Sequence, residues 1–343
     1  MPMQAAFCPG SGRLELREVP APRPAAGEVV LRVRACGICG SDLHWFTGGS
    51  RPPSVCPGHE IAGEVVACGA AVAGVAVGER VTAEPMATCG ACRWCRAGTP
   101  QLCRTLQVAG MHRPGGLAEL VALPAAMLYP LPAELDWAVA ALSEPTAVAV
   151  HATRLAGVGA GQRVLILGAG AIGLLAVAAA RAAGAAEVWI TARHSHQAAA
   201  ARRLGATRVF ATTAAADDER RALARDHDVD AVLETVGGVA ETLADAVHCV
   251  RPGGTVILLG VFTAPPSLPA TTLLMKEVRL VGSMMYDRSG PRADFATAID
   301  LLVAHRDAIA PLVTHRVALA GVQQAFETAA DKRSGAIKVA VLP

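Results

Sequence analysis

Two short stretches gather side chains that can do chemistry together. Cys36-Gly-Ile-Cys39-Gly-Ser41-Asp42-Leu-His44 supplies a thiol, a hydroxyl, a carboxylate and an imidazole, and Pro57-Gly-His59-Glu60 adds a second imidazole and a second carboxylate. Thiolate, imidazole and carboxylate are the donors that hold zinc, and a catalytic zinc site keeps one position open. Cys39, His59 and one glutamate would make such a set, with Asp42 free to orient a ligand imidazole from behind. A second constellation is Cys89-Gly-Ala-Cys92-Arg-Trp-Cys95 followed by Cys103. Three thiols at i, i+3 and i+6 and a fourth closing a short loop can wrap one ion completely, which makes this site structural rather than catalytic.

A third group lies further along. Val164-Leu-Ile-Leu167 runs into Gly168-Ala-Gly170-Ala171-Ile172-Gly173 and then into an apolar helical stretch. Glycines at these three places permit a tight turn, close approach of a pyrophosphate and helix–strand contact, and the helix N-terminus favours the phosphate charge. The carboxylate usually found about 20 residues on, at the end of the second strand, is absent. Ala192 stands there, followed by Arg193, His194 and His196. Loss of the acid removes repulsion of a 2′-phosphate, and an arginine can pair with one, so NADP is expected over NAD. The cofactor is expected on Gly168, Gly170, Ala171, Ile172 and Gly173, with Ala192, Arg193 and His194 at the second strand and Gly260 after a later one.

These groups need elements to place them. The 343 residues, 52% hydrophobic and 17% charged, suggest about two well-buried domains. Leu14–Val19, Glu28–Val33, Ile61–Val66, Gly78–Thr82 and Gly115–Val121 read as short strands with glycine turns, a small barrel-like β domain. Trp137 to Gly157 reads as one helix carrying Glu144, a carboxylate in an apolar run that needs a partner. From Arg163 strands and helices alternate, with strands at Val188–Thr191, Arg208–Phe210, Val229–Leu233, Thr255–Leu259 and Val278–Val281. Phe295–Val303 reads as a helix and Ile337–Leu342 as a strand returning to the first domain.

Net charge is +2 without a long basic run, which argues against nucleic acid. No apolar run reaches a membrane span, and the N-terminus lacks the order of a secretory signal, so a cytoplasmic location is expected. Ten cysteines there point to metal or catalysis rather than disulfides.

With these motifs in this order, the chain resembles the zinc-dependent medium-chain dehydrogenases over essentially its whole length, most closely the branch of polyol, butanediol and threonine dehydrogenases. The resemblance implies an α/β protein with a GroES-like β-barrel catalytic domain (residues 1–153 and 293–343) and an inserted Rossmann domain with a doubly wound parallel sheet (154–292). It implies two zinc ions, one on Cys39 and His59 with Glu60 or Glu144, the other on Cys89, Cys92, Cys95 and Cys103. Ser41 and His44 would form a proton relay, a role their chemistry supports because a proton must leave a site from which water is largely excluded. The expected reaction passes hydride between a secondary alcohol or ketone, of polyol or diol type, and NADP or NAD. A homodimer or homotetramer is implied as well. Two other readings stay open, an L-threonine-type dehydrogenase, which His112–Gly115 faintly suggests, and a cofactor-binding relative without activity.

Overall fold

The structure, a computed structural model, describes residues 2–343. The chain forms two compact units. The first comprises the chain up to Glu144 with Asp287–Arg306 and Ala310–Pro343, and the second comprises Pro145–Tyr286 with Asp307–Ile309.

In the first unit the long strand Glu28–Gly37 is central. It pairs antiparallel with Glu60–Cys68, Leu120–Pro124 and Lys338–Leu342. Arg80–Ala83, Leu128–Pro130 and Val313–Ala318 complete a seven-stranded sheet. Val29, Leu31, Val33, Ile61, Val121 and Val341 meet in one core, because β-branched and leucine side chains from facing strands bury together. The register sets Gly37 opposite Glu60, so the Cys-Gly-Ile-Cys stretch leaves its strand directly beside the Gly-His-Glu stretch entering the next. That pairing brings the two chemical stretches together.

The second unit is a six-stranded sheet of Arg163–Leu167, Glu187–Ala192, Arg208–Ala211, Val229–Glu234, Val250–Leu258 and Arg279–Gly282. Every neighbouring pair is parallel. In chain order the strands lie third, second, first, fourth, fifth, sixth across the sheet, which is the doubly wound dinucleotide order. Leu165, Trp189, Val232 and Val256 form its core on one face. The expected strands all form here, the fifth starting earlier than expected at Val250.

Two local expectations fail. Residues 115–119 are a loop, and the strand begins only at Leu120. Gly115, Gly116 and Leu117 instead donate backbone hydrogen bonds to Cys56, Gly58 and Pro57, clasping the turn that carries His59. A Cβ on Gly115 would lie 2.1 Å from the Gly58 carbonyl oxygen, so the close approach requires glycine. The helix expected over 137–157 is two, Trp137–Ala140 and Ser143–Leu155. Pro145 has no N–H and fits only a first turn, which obliges the second helix to start just before it. The chain passes from one unit to the other at Glu144/Pro145 and again at Tyr286/Asp287, and the short Asp307–Ile309 segment belongs once more to the second.

Candidate active site

Cys39 is the N-cap of a short helix, Gly40–Phe46, that the sequence reading did not assign. Asp42, one turn in and buried, accepts a hydrogen bond from the Cys39 N–H at 3.0 Å. The spacing Cys-x-x-Asp resembles a capping box, and that was the available signal. Asp42 therefore fixes the backbone from which the Cys39 thiol projects. Its other oxygen lies 3.8 Å from His59 Nδ1.

One atom each from Cys39, His59 and Glu60 lie within 4.8 Å of one another. His59 is buried, and its Nδ1 has no hydrogen-bond partner among the described residues. With Nδ1 facing Asp42, the other ring nitrogen is the one free to meet a metal, the usual carboxylate–histidine–metal arrangement. Burial works against charging this imidazole, yet the Asp42 carboxylate and the Cys39 thiol beside it outweigh burial and hold its pKa well above the ordinary value. Soft and hard donors converge on a point that already favours positive charge, and the residues present fit a zinc ion.

Glu60 is fully buried, and both of its oxygens are held by the Lys338 ammonium at 2.5 and 2.8 Å. Lys338 also donates to the Ile38 carbonyl at 3.0 Å. Gly37 makes room for this carboxylate, since a Cβ there would sit 1.8 Å from Glu60 Oε2. The sequence reading missed both residues. A lysine opening the apolar strand Lys338–Leu342 was the signal, because lysine is almost never fully buried unless paired. Glu144 stands apart from the three-residue group, in the first turn of its helix. Burial pushes its carboxyl up to about 7, with His59 pulling the other way and Glu60 adding to the rise.

Ser41 and His44 lie on the Gly40–Phe46 helix, both half-buried, three residues apart and therefore on one face. Trp45 and Phe46 are buried against Phe326 with ring centroids 5.3 and 5.2 Å away. They anchor the helix in the core.

The four cysteines of the second constellation also converge. Sulfur separations are 4.0 Å for Cys89–Cys95, 3.6 Å for Cys92–Cys95 and 3.6 Å for Cys103–Cys89. A tetrahedral zinc with bonds of about 2.3 Å spaces its sulfurs about 3.8 Å apart. The lobe fits that ion.

In the second unit Gly168 has φ +103° and Gly170 caps the helix Ala171–Ala182. A Cβ on Gly173 would meet the Gly168 carbonyl oxygen at 1.8 Å, whereas one on Gly170 would meet nothing within 4 Å. The turn is closed on its inner side and open outward, as a pyrophosphate cradle must be. The Gly168 N–H donates to Thr191 Oγ1 at 2.9 Å, and Thr235 Oγ1 donates to the carbonyls of Leu167 and Gly168 at 2.8 and 3.2 Å. Neither threonine was anticipated. Ala192 ends the second strand, Arg193 is exposed with no acidic partner among the described residues, and His194 caps the next helix with its ring stacked on His196. Gly260 packs against Gly237 and the Glu234 carboxylate.

Residues 25–133 match the alcohol dehydrogenase GroES-like domain, and residues 171–304 match the zinc-binding dehydrogenase domain. The chain is 34% identical to an L-threonine 3-dehydrogenase of Aeromonas salmonicida over 94% of both chains. A zinc-binding dehydrogenase of Sinorhizobium meliloti 1021 solved bound to NADP is 35% identical, with a TM-score of 0.89 over 100% of both chains. A 2R,3R-butanediol dehydrogenase from Bacillus subtilis is 28% identical, with a TM-score of 0.87 over 99% of both.

Proposed function

Since the chain belongs to the zinc-dependent medium-chain alcohol dehydrogenase family and is an NAD(P)-dependent dehydrogenase, we propose that it oxidises a secondary alcohol of polyol or diol type to the ketone, with NADP favoured over NAD. The convergence of Cys39, His59 and Glu60 on one point carries the reading. Cys39 and His59 with Glu60, and with Glu144 as the neighbouring carboxylate, would hold a zinc ion that would polarise the substrate oxygen, and a bound nicotinamide would accept the hydride. The alcohol loses one hydrogen as hydride and one as a proton. Ser41 and His44, on one helix face, carry that proton outward, and Asp42 keeps the His59 ring in its ligating orientation. Cys89, Cys92, Cys95 and Cys103 would hold a second zinc, which would stabilise the lobe.

NADP preference rests on Ala192 and the unpaired Arg193, and NADP is bound in the Sinorhizobium relative. A charge-assisted contact to the 2′-phosphate contributes about 1.5–3 kcal/mol, roughly ten- to hundredfold in affinity. Ala192→Asp with Arg193→Leu should reverse the order of kcat/KM for NADP⁺ and NAD⁺. Equal or better kcat/KM with NAD⁺ in the unaltered enzyme refutes the preference.

Threonine is the second reading, favoured by the Aeromonas relative's activity. Against it, Arg113 pairs with Glu28, and His112 Nδ1 accepts from the Val108 N–H at 3.1 Å. The two side chains of that segment that could meet an amino acid's carboxylate are thus engaged internally. Turnover of a panel of diols, polyols and L-threonine decides between them, and threonine as the best substrate overturns the first reading.

A second copy of the chain would pair on the strand Arg279–Gly282, which has a neighbour on one side only. Leu274, Met275 and Met284 are exposed next to it in sequence, and unpaired edges with apolar flanks invite such pairing. A cytoplasmic setting accords with ten free thiols, and among the described residues no helix is long and apolar enough to cross a membrane.

A further inference from the structure

Glu234 ends the fourth strand of the parallel sheet and is fully buried. Its Oε1 accepts from the N–H groups of Val236 and Gly237 at 2.8 and 3.1 Å and from Thr242 Oγ1 at 2.7 Å. Its Oε2 is buried without a hydrogen-bond partner among the described residues. Among the described residues no lysine or arginine pairs with it, and Arg220, Arg251, Lys276 and Arg279 are engaged elsewhere. Burying an uncompensated carboxylate is costly, and a fold that needed only a loop anchor could use a neutral acceptor.

The position of this charge is specific. A Cβ on Gly260 would lie 2.3 Å from Glu234 Oε2 and 2.4 Å from the Gly237 nitrogen. The loops after the fourth and fifth strands are also zipped together, Gly238 N–H to the Val261 carbonyl at 2.8 Å and Thr263 N–H to the Gly238 carbonyl at 3.0 Å. The bare carboxylate oxygen therefore sits where these two loops meet, at the carboxyl edge of the sheet. In a doubly wound sheet the ligand binds along that edge. The glycine-rich turn after the first strand takes the pyrophosphate, the adenosine lies over the first three strands, and the other nucleotide lies over the fourth to sixth. Resting on the dinucleotide reading above, that other nucleotide is the nicotinamide half, whose ring is positively charged when oxidised and neutral when reduced.

We propose that Glu234 is a positioning residue whose fixed negative charge stabilises the oxidised cofactor relative to the reduced one, in addition to shaping the loop that receives it. A single charge that favours one redox form and not the other is expected to shift relative affinity roughly tenfold. A purely structural anchor acts on both forms alike.

The test is the pair of dissociation constants for NADP⁺ and NADPH, measured by calorimetry on the zinc-loaded full-length enzyme. Glu234→Gln keeps the Oε1 acceptor and the shape. It should weaken NADP⁺ about tenfold and leave NADPH within about twofold. Thr242→Val loosens the same loop while keeping the charge, and should move both constants together. Should Glu234→Gln fail to fold, Thr242→Lys brings an ammonium to the carboxylate from a half-buried position and should shift the ratio in the same direction as the glutamine. Equal changes for the two forms in Glu234→Gln, or in Thr242→Lys, overturn the proposal. Failure of the unaltered enzyme to bind either form would instead refute the cofactor reading itself.

Discussion

Removing the Lys338 ammonium tests the reading of the first unit most directly. Lys338 and Glu60 are both buried, and the ammonium holds both carboxylate oxygens and the Ile38 carbonyl. In Lys338→Met the methionine fills similar space, and Glu60 is left as a buried carboxylate with no cation. Breaking one side of such a pair costs about 3–5 kcal/mol. For a unit of about 200 residues that corresponds to a melting temperature lower by roughly 6–20 °C. Bound zinc changes the result. Glu60 lies in the group with Cys39 and His59, so a divalent ion there replaces the missing positive charge and should restore much of the loss. The assay is calorimetric melting of chelator-treated and zinc-replete protein, for Lys338→Met, Glu60→Gln and the double variant. Expected outcomes are a large loss in chelated Lys338→Met, a smaller one with zinc, and a double variant more stable than Lys338→Met alone, because it removes the uncompensated charge. A loss below about 1 kcal/mol in the chelated single variant would show that the pair is better solvated than its burial indicates.

Gly37→Ala places a methyl on the Glu60 carboxylate, and should release the catalytic zinc while the four-cysteine ion stays, reducing zinc from two per chain to one by elemental analysis. Mild chelation of the unaltered enzyme should abolish activity in the same order, before the fold is lost. His44→Ala should slow alcohol oxidation most below neutral pH with zinc content unchanged, and an unaltered pH–rate profile refutes the relay. Asp136 caps the Trp137–Ala140 helix and pairs with Arg316. Although burial opposes it, the Arg316 guanidinium and the capped N–H groups hold its carboxyl below the ordinary 3.8. A lowered folded-state pKa stabilises above the unfolded value and is lost as pH falls through the folded one. Asp136→Ala should therefore cost about 1 kcal/mol near neutrality, and the difference from the parent should vanish in denaturation curves taken well below pH 3.8.

The sequence by itself determined the chemical inventory and the architecture. Zinc donors, a four-thiol lobe and a glycine-rich turn between strand and helix are local patterns, legible because each depends on spacing of a few residues. The alternation of strands and helices from Arg163 onward likewise implied the parallel sheet, since period and punctuation are properties of neighbouring residues. The short helix at Gly40–Phe46 and the loop at 115–119 were not legible in the same way. The first is fixed by a Cys39–Asp42 cap and burial of Trp45 and Phe46 on Phe326, and the second by contact with a turn some sixty residues earlier. Only the tertiary structure could pair Glu60 with Lys338, 278 residues away, or show that Gly37 is small because a carboxylate fills its place. It alone shows Glu234 with one satisfied oxygen and one bare. Whether a buried charge has a partner depends on which strands become neighbours, and strand neighbourhood is set by packing of the whole sheet rather than by any stretch of chain.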